Sequence, residues 1–277
     1  MTFLSSGQVN YRARLNRAKT LAERFPFASQ ILGFYSAVAS FQQEFYQALP
    51  KLWGKQTISP LGSEPRPDLN HSLVIRPFQK LLSLMEKEAP QPLAEQAKTA
   101  RLQGESFQAG LLDRFWKASA QTDGDASSAF DDLFCRVVLQ PYAEFIGGAM
   151  LPTGQLMTSS RCPRCNSLPL VGVLRPEGDG GKRLLFCSLC SMEWDFRRIL
   201  CAWCGEEAEQ KLPVYLAEEL PHIRVECCES CKHYLRTIDL TKDGHAIPIV
   251  DDLAAVPLTL WANEQGYTRI QSNLLGT

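Results

Sequence analysis

Eight of the ten cysteines in this 277-residue chain fall in four Cys-x-x-Cys pairs: Cys162/Cys165, Cys187/Cys190, Cys201/Cys204 and Cys228/Cys231. The pairs are separated by 21, 10 and 23 residues, so two long gaps flank a short one and the pairs group into two modules. Two cysteines spaced i, i+3 across a tight turn can aim both thiolates at one point, and two such turns supply a tetrahedral four-thiolate metal site. A site closed by four thiolates has no open coordination position. Its chemistry is therefore structural or one-electron redox, not Lewis-acid hydrolysis. Spacing alone does not choose between iron and zinc, since both accept tetrahedral thiolates.

The elements that must hold these thiolates are short turns and strands. Asn166 and Gly205, directly after the opening pair of each module, are types that tolerate the left-handed conformation needed to curl backbone amides towards sulfur. The modules also read as one unit repeated. Leu168-Pro169-Leu170-Val171 follows the first pair as Leu212-Pro213-Val214-Tyr215 follows the third, and a β-prone run enters each closing pair, Leu184-Leu185-Phe186 and Ile223-Arg224-Val225. Pro176 to Gly181 is a hairpin loop inside the first module. Trp194 and Phe196 alternate with charged residues after Cys190, as expected of side chains that shield a metal site and pack one ribbon on its neighbour. Lys232 to Leu240 alternates as a strand, Thr241 to Gly244 is a turn, and Asp251 to Ala262, acidic in front and apolar behind, predicts a closing helix.

Paired cysteines can instead form a disulfide framework in small secreted domains. The first residues, Met1 to Gly7, carry no basic start leading into an apolar run, and no stretch approaches the ~18 uninterrupted apolar residues of a membrane span. The expectation is a cytoplasmic protein without membrane insertion, where thiols stay reduced and hold metal. With 45 % hydrophobic residues the chain can bury a substantial core, and its 29 basic and 30 acidic residues nearly balance. From Ser159 onward there are 13 Lys and Arg against 16 Asp and Glu, the wrong sign for a phosphate-binding surface. Nucleic acid is not an expected partner.

Before the cysteines the sequence is helical. Asn10 to Glu23 reads as a first helix. A second carries Phe34, Val38, Phe41, Phe45 and Leu49 on one face and is expected to end at Pro50. Pro60, Gly62, Pro65 and Pro67 punctuate a loop. Val74, Phe78, Leu81, Leu82 and Met85 mark a third helix with Pro77 placed near its start. Leu93 to Leu102 is a fourth, and Phe107, Leu111, Phe115 and Trp116 give a fifth. After a turn-rich Ala120 to Asp125, Phe130, Leu133, Phe134, Val137 and Val138 give a sixth that continues or kinks at Pro141. The switch to strands falls near Leu151 to Gly154. Residues 1–158 are thus expected to form a helical domain, 159–199 the first four-cysteine module, and 200–277 the second with a terminal strand and helix.

Outside the eight paired cysteines little points to chemistry. Cys135, among apolar residues, reads as a small buried hydrophobe. His71 is read as a cap or a solvated residue, His222 as a surface residue beside Pro221, and His233 as a polar contact rather than a ligand, because each site already has four thiolates. His245, like His233, could be a ligand or proton carrier, but the four thiolates of each site are already complete. Cys227, next to Cys228, is an extra thiol that either packs or serves a ligand swap or disulfide.

The strings Cys162-Pro163-Arg164-Cys165, Cys187-Ser188-Leu189-Cys190 with Glu193-Trp194, Cys201-Ala202-Trp203-Cys204-Gly205, and Glu226 to Tyr234 resemble the formate dehydrogenase accessory proteins of the FdhE type. The likeness continues through Thr237-Ile238-Asp239 and Asp251 to Ala254 to Glu264-Gln265-Gly266-Tyr267. The expected fold class is α+β, an N-terminal helical bundle followed by two tandem rubredoxin-like or zinc-ribbon four-cysteine modules and a C-terminal helix. The resemblance implies a cytoplasmic, non-enzymatic maturation factor for respiratory formate dehydrogenase that contacts its catalytic subunit. It also implies two metal ions, with iron favoured over zinc, held by Cys162, Cys165, Cys187, Cys190, Cys201, Cys204, Cys228 and Cys231. A rubredoxin-like redox protein acting through iron or the Cys227/Cys228 thiols is the alternative, and a homo-oligomer is left open.

Overall fold

The computed structural model describes residues 9–54, 68–118, 129–148, 159–178 and 180–276. The expectations for Met1 to Gly7, for the Pro60 to Pro67 loop, for Ala120 to Asp125 and for the switch at Leu151 to Gly154 lie outside the described residues.

Six helices come first: α1 (Tyr11–Arg24), α2 (Ser29–Trp53), α3 (His71–Glu88), α4 (Gln91–Leu102), α5 (Glu105–Ala118) and α6 (Ala129–Gly148). Asn10 starts α1 as a cap, its side-chain oxygen accepting from the Ala13 amide at 2.9 Å. The apolar stripes face inward as their spacing requires, with Val38, Phe41, Phe45 and Leu49 of α2 and Val74, Phe78, Leu81, Leu82 and Met85 of α3 all buried. Two proline expectations are corrected. Pro50 does not end α2, which runs on to Trp53, and the Trp53 ring packs against Tyr142 and Phe145. Pro77 stands inside α3 rather than near its start. A proline costs one ladder bond there, and the buried stripe on both sides of it outweighs that loss. Pro141 likewise lies within an unbroken α6.

After the bundle come β1 (Pro169–Glu177), β2 (Gly180–Cys187), β3 (Glu193–Asp195), β4 (Val214–Leu216), β5 (Ile223–Cys227), β6 (His233–Asp239) and, past two helices, β7 (Thr268–Arg269). The repeat seen in the sequence is a structural repeat. Each module is an antiparallel trio, β1-β2-β3 and β4-β5-β6, and each trio has a cysteine pair before its first strand and another between its second and third. The trios merge into one sheet in the order β3-β2-β1-β6-β5-β4, with β7 beside β6. The seam is the parallel pair β1/β6, where Gly172 faces Thr237. A Cβ on Gly172 would lie 2.2 Å from the Thr237 hydroxyl oxygen, so the approach of the two modules depends on glycine.

The single closing helix is replaced by two short ones, α7 (Pro248–Ala254) and α8 (Val256–Glu264), broken at Ala255. The acidic front of this segment, Asp251 and Asp252, lies in α7. Both are fully buried, held by arginines from three elements. Arg17 of α1 contacts Asp251 at 2.5 Å and Asp243 at 2.6 Å, while Arg236 of β6 and Arg269 of β7 lie 2.8 and 2.7 Å from Asp252. These cations offset the cost of burying the two carboxylates.

Candidate metal centres

In each of the four cysteine turns the residue after the second cysteine takes a left-handed conformation: Asn166, Ser191, Gly205 and Lys232, with φ between 55° and 76°. The first and third had been singled out by residue type. Ser191 and Lys232 had not, although the matching offset in the repeat pointed to them. The turn lets backbone amides face sulfur, and Leu189 and Cys190 donate to the Cys187 Sγ while Trp203 donates to the Cys201 Sγ, each at 3.4 Å. Backbone bonds close the loops, from the Cys162 amide to Ser167 and from Cys201 to Glu206, and from Cys187 to Met192 and Cys228 to His233.

These turns bring Cys162, Cys165, Cys187 and Cys190 into one cluster and Cys201, Cys204, Cys228 and Cys231 into another, with the sulfurs of each set within 4.8 Å of one another. Across the first cluster Sγ to Sγ distances are 3.6 Å (Cys162/Cys190) and 3.3 Å (Cys165/Cys187); across the second they are 3.8 Å (Cys201/Cys231) and 3.7 Å (Cys204/Cys228). A disulfide needs about 2.05 Å. A tetrahedron of sulfurs about 2.3 Å from a central ion has edges of about 3.8 Å. The donor set, the N–H to sulfur bonds and the edge lengths fit a metal ion in each cluster, and the same thiolates suit zinc or iron.

The two clusters sit in different surroundings. All four cysteines of the first are buried, whereas in the second Cys204 is exposed and Cys231 half-buried. The first is clamped between sheet and bundle. Ser191 and Arg14 of α1 both bond the buried Glu144 of α6, which also accepts from the Tyr11 hydroxyl, and Gln140 donates to the Ser188 carbonyl. Burial, with Glu144 next, pushes the Tyr11 phenol well above its ordinary value and keeps it a donor. The second cluster is braced mainly by its own module. Glu206 accepts from the Ser230 hydroxyl at 2.5 Å and bonds the Ala208 amide, and with Lys211 nearby these hold its carboxyl down at about 2. Trp203, inside the third pair, stacks on His233 with ring centroids 4.3 Å apart.

Other residues fall as follows. His233 opens β6 with its Nδ1 2.9 Å from the Cys231 carbonyl oxygen and is a polar contact as read. His222 is corrected. It is buried and its Nε2 lies 2.8 Å from Asp251, because β5 starts beside it and carries it under α7. His222, Asp243 and Asp251 resemble a third ligand set, but the Arg17 guanidinium already occupies the centre of the two carboxylates. Cys135 is buried, and burial raises its thiol well above the usual range. Cys227 is 3 % exposed at the end of β5 and outside both clusters. Burial, then Glu229, pushes its thiol to about 12, which leaves little thiolate for exchange chemistry. Trp194 and Phe196 are buried, Trp194 donating to the Ser159 carbonyl and Phe196 lying under the Arg183 guanidinium.

A helical bundle fused to a sheet that carries two four-cysteine ribbon clusters defines the class. Residues 161–198 match the family model described as FdhE, central domain, and residues 199–275 the one described as FdhE, C-terminal domain. The chain is 28 % identical over 271 residues to the protein FdhE homolog of Aquifex aeolicus, covering 95 % of this chain and 94 % of that protein. It is 41 % identical over 128 residues to the homolog of Pseudomonas aeruginosa, a stretch that covers 43 % of this chain and 40 % of that protein. The crystal structure of the FdhE protein from Pseudomonas aeruginosa superposes with a TM-score of 0.66 at 28 % identity, covering 96 % of this chain and 95 % of that one. The chain thus matches FdhE family models over residues 161–275 and is similar to FdhE homologs over nearly its whole length.

Proposed function

We propose that this protein is an accessory factor in the maturation of respiratory formate dehydrogenase, and that it binds the catalytic subunit of that enzyme through the metal-held double ribbon. The observation that carries the reading is the pair of complete four-sulfur sets built into one sheet, one sealed against the bundle and the other at the surface. All eight paired cysteines are the proposed ligands. The buried set staples the ribbon to the helices. The outer set fixes the shape of the exposed end, including Trp203 on His233, without offering an open coordination position. When bound, the ions supply cross-linking of distant turns, and family resemblance favours iron. The division into a helical domain over 1–158 and modules over 159–199 and 200–277 belongs to the same proposal.

Co-purification of the catalytic subunit with the wild-type chain, and with a variant carrying serine at all eight positions, tests it. Capture by the wild type, lost in the variant together with formation of active enzyme, is the expected result. Capture and activity untouched by the eight changes would sink the proposal.

A further inference from the structure

Strand β4 is the last strand of the sheet, paired only with β5 among the described residues. Sheet edges are usually blunted by charge, because their free N–H and C=O groups invite another strand. Here the edge is apolar and open. Val214 is 51 %, Tyr215 38 % and Leu216 62 % exposed. Val214 and Leu216 share one face, across from Glu226 and Arg224, while Tyr215 on the other face leans on Trp261 at 4.7 Å, with Leu260 also exposed beside that tryptophan.

The charge around the edge has one sign. From Gly205 to Glu219 there are five glutamates and a single lysine. Glu207 is paired with Arg197 and Glu206 with Lys211. Glu209 on one side of β4, and Glu218 and Glu219 on the other, have no ion-pair partner among the described residues. The strand is therefore framed at both ends by free carboxylates. That frame repels phosphate, and it repels a second copy of itself, because pairing β4 with β4 would bring two acidic frames together.

We propose that the β4 edge is a docking site for an extended polypeptide segment whose alternating apolar residues are flanked on both sides by lysine or arginine. The segment adds as a strand beside β4, its backbone completing the ladder and its apolar side chains covering Val214 and Leu216, while its basic ends meet Glu209 and Glu218/Glu219. The inference deepens the docking reading above and rests on it for the identity of the client, not for the chemistry of the edge.

The test uses the full chain and a synthetic peptide, Lys-Lys-Val-Thr-Val-Ser-Leu-Lys-Lys, with the same peptide carrying glutamate for lysine as control. Fluorescence anisotropy should show binding of the basic peptide, weakened at least about tenfold by Glu218→Lys/Glu219→Lys and by Val214→Ser/Leu216→Ser, and weakened by salt. The altered side chains are exposed, and circular dichroism checks that the variants keep the fold. No binding, equal binding of the acidic peptide, or binding unchanged in both variants overturns the proposal. A wild-type dimer that Leu216→Ser converts to monomer also overturns it, by giving the edge to a second copy. Capture of the formate dehydrogenase catalytic subunit is measured with the same variants. Capture by wild type and variants alike removes the edge and leaves the docking reading standing; absence of capture by the wild type removes that reading, and the peptide arm still decides the edge.

Discussion

Cys204 and Cys187 occupy equivalent kinds of turn yet differ in what surrounds them, and the difference sets what their loss should do. Cys187 lies at the end of β2, buried beside the Ser188 and Ser191 contacts to the bundle. Its change to serine leaves three thiols without their ion in a dry site, and the expected outcome is a chain that unfolds cooperatively at a Tm well below wild type or fails to accumulate. Cys204→Ser, at the exposed cluster, should leave the fold and cost one metal ion, as metal analysis and circular dichroism would show. The same contrast predicts two phases when a strong chelator strips the wild type, the faster belonging to the outer cluster. A single phase in both wild type and Cys204→Ser would contradict the asymmetry. Arg17 is the other residue on which much hangs. It faces Asp251, which is fully buried, and Asp243, so Arg17→Met should cost about 3 kcal/mol in denaturant unfolding by leaving a buried carboxylate without its cation. Asp243 and Asp239 also carry a pH dependence. Burial raises each carboxyl, but hydrogen bonds outweigh it, to Arg17 and the His245 amide for Asp243 and to Thr241 and Arg224 for Asp239, and both sit below their ordinary value. The stability they contribute is whole above about pH 4, the value of the unfolded chain, and is lost as pH falls through the lower folded-state values. Acid titration of Arg17→Met and Arg224→Met should show a shallower loss over that window than wild type.

At the scale of elements, the seam between β1 and β6 is the joint that makes two ribbons one sheet. Gly172→Ala puts a methyl group against the Thr237 side chain, which is itself fully buried. Overpacking of this kind costs about 1 to 3 kcal/mol, and Thr237→Ala in the same chain should recover much of it, as a double-mutant cycle by thermal unfolding would measure. An additive pair of losses would mean that the seam does not carry the joint. Here the sequence was partly legible. The strands within each module followed from residues bounding the cysteine pairs, since a turn that points two thiolates inward must be entered and left by extended chain. The parallel seam was not legible, because no residue in β1 or β6 signals which edges will meet; a glycine between Val171 and Val173 is the one residue type there that fits a close approach. The helices are legible in their 3.6-residue stripes, yet the sequence points to an end at Pro50 and a start near Pro77, because a proline's local cost is visible in sequence and the burial that offsets it is not. The burial of Asp251 and Asp252 was not legible for a similar reason. Their arginine partners lie 16 to 234 residues away in the chain, at Arg236, Arg269 and Arg17. His222 went with them, because a histidine beside a proline looks exposed until the helix that covers it is in place.

For the molecule as a whole, the helical bundle and the sheet are joined by buried polar contacts and not by apolar packing alone. Tyr11, Arg14, Glu144 and Ser191 link the bundle to the first cluster, and Arg17 and Arg136 link it to the segment after the second, Arg136 donating to the Ser272 and Asn273 carbonyls. The inner cluster is thereby made part of the core, and the outer cluster is left to shape the exposed end of the sheet. This account stands on the two clusters being metal centres. The direct test is the metal content and visible spectrum of protein purified without oxygen, for the wild type and for Cys201→Ser/Cys204→Ser. About two ions per chain in the wild type and about one in the variant are expected, with thiolate-to-iron charge-transfer bands if the ions are iron and no colour if they are zinc. A folded, metal-free wild type, whether its cysteines are reduced or joined as disulfides, would contradict the account at its centre.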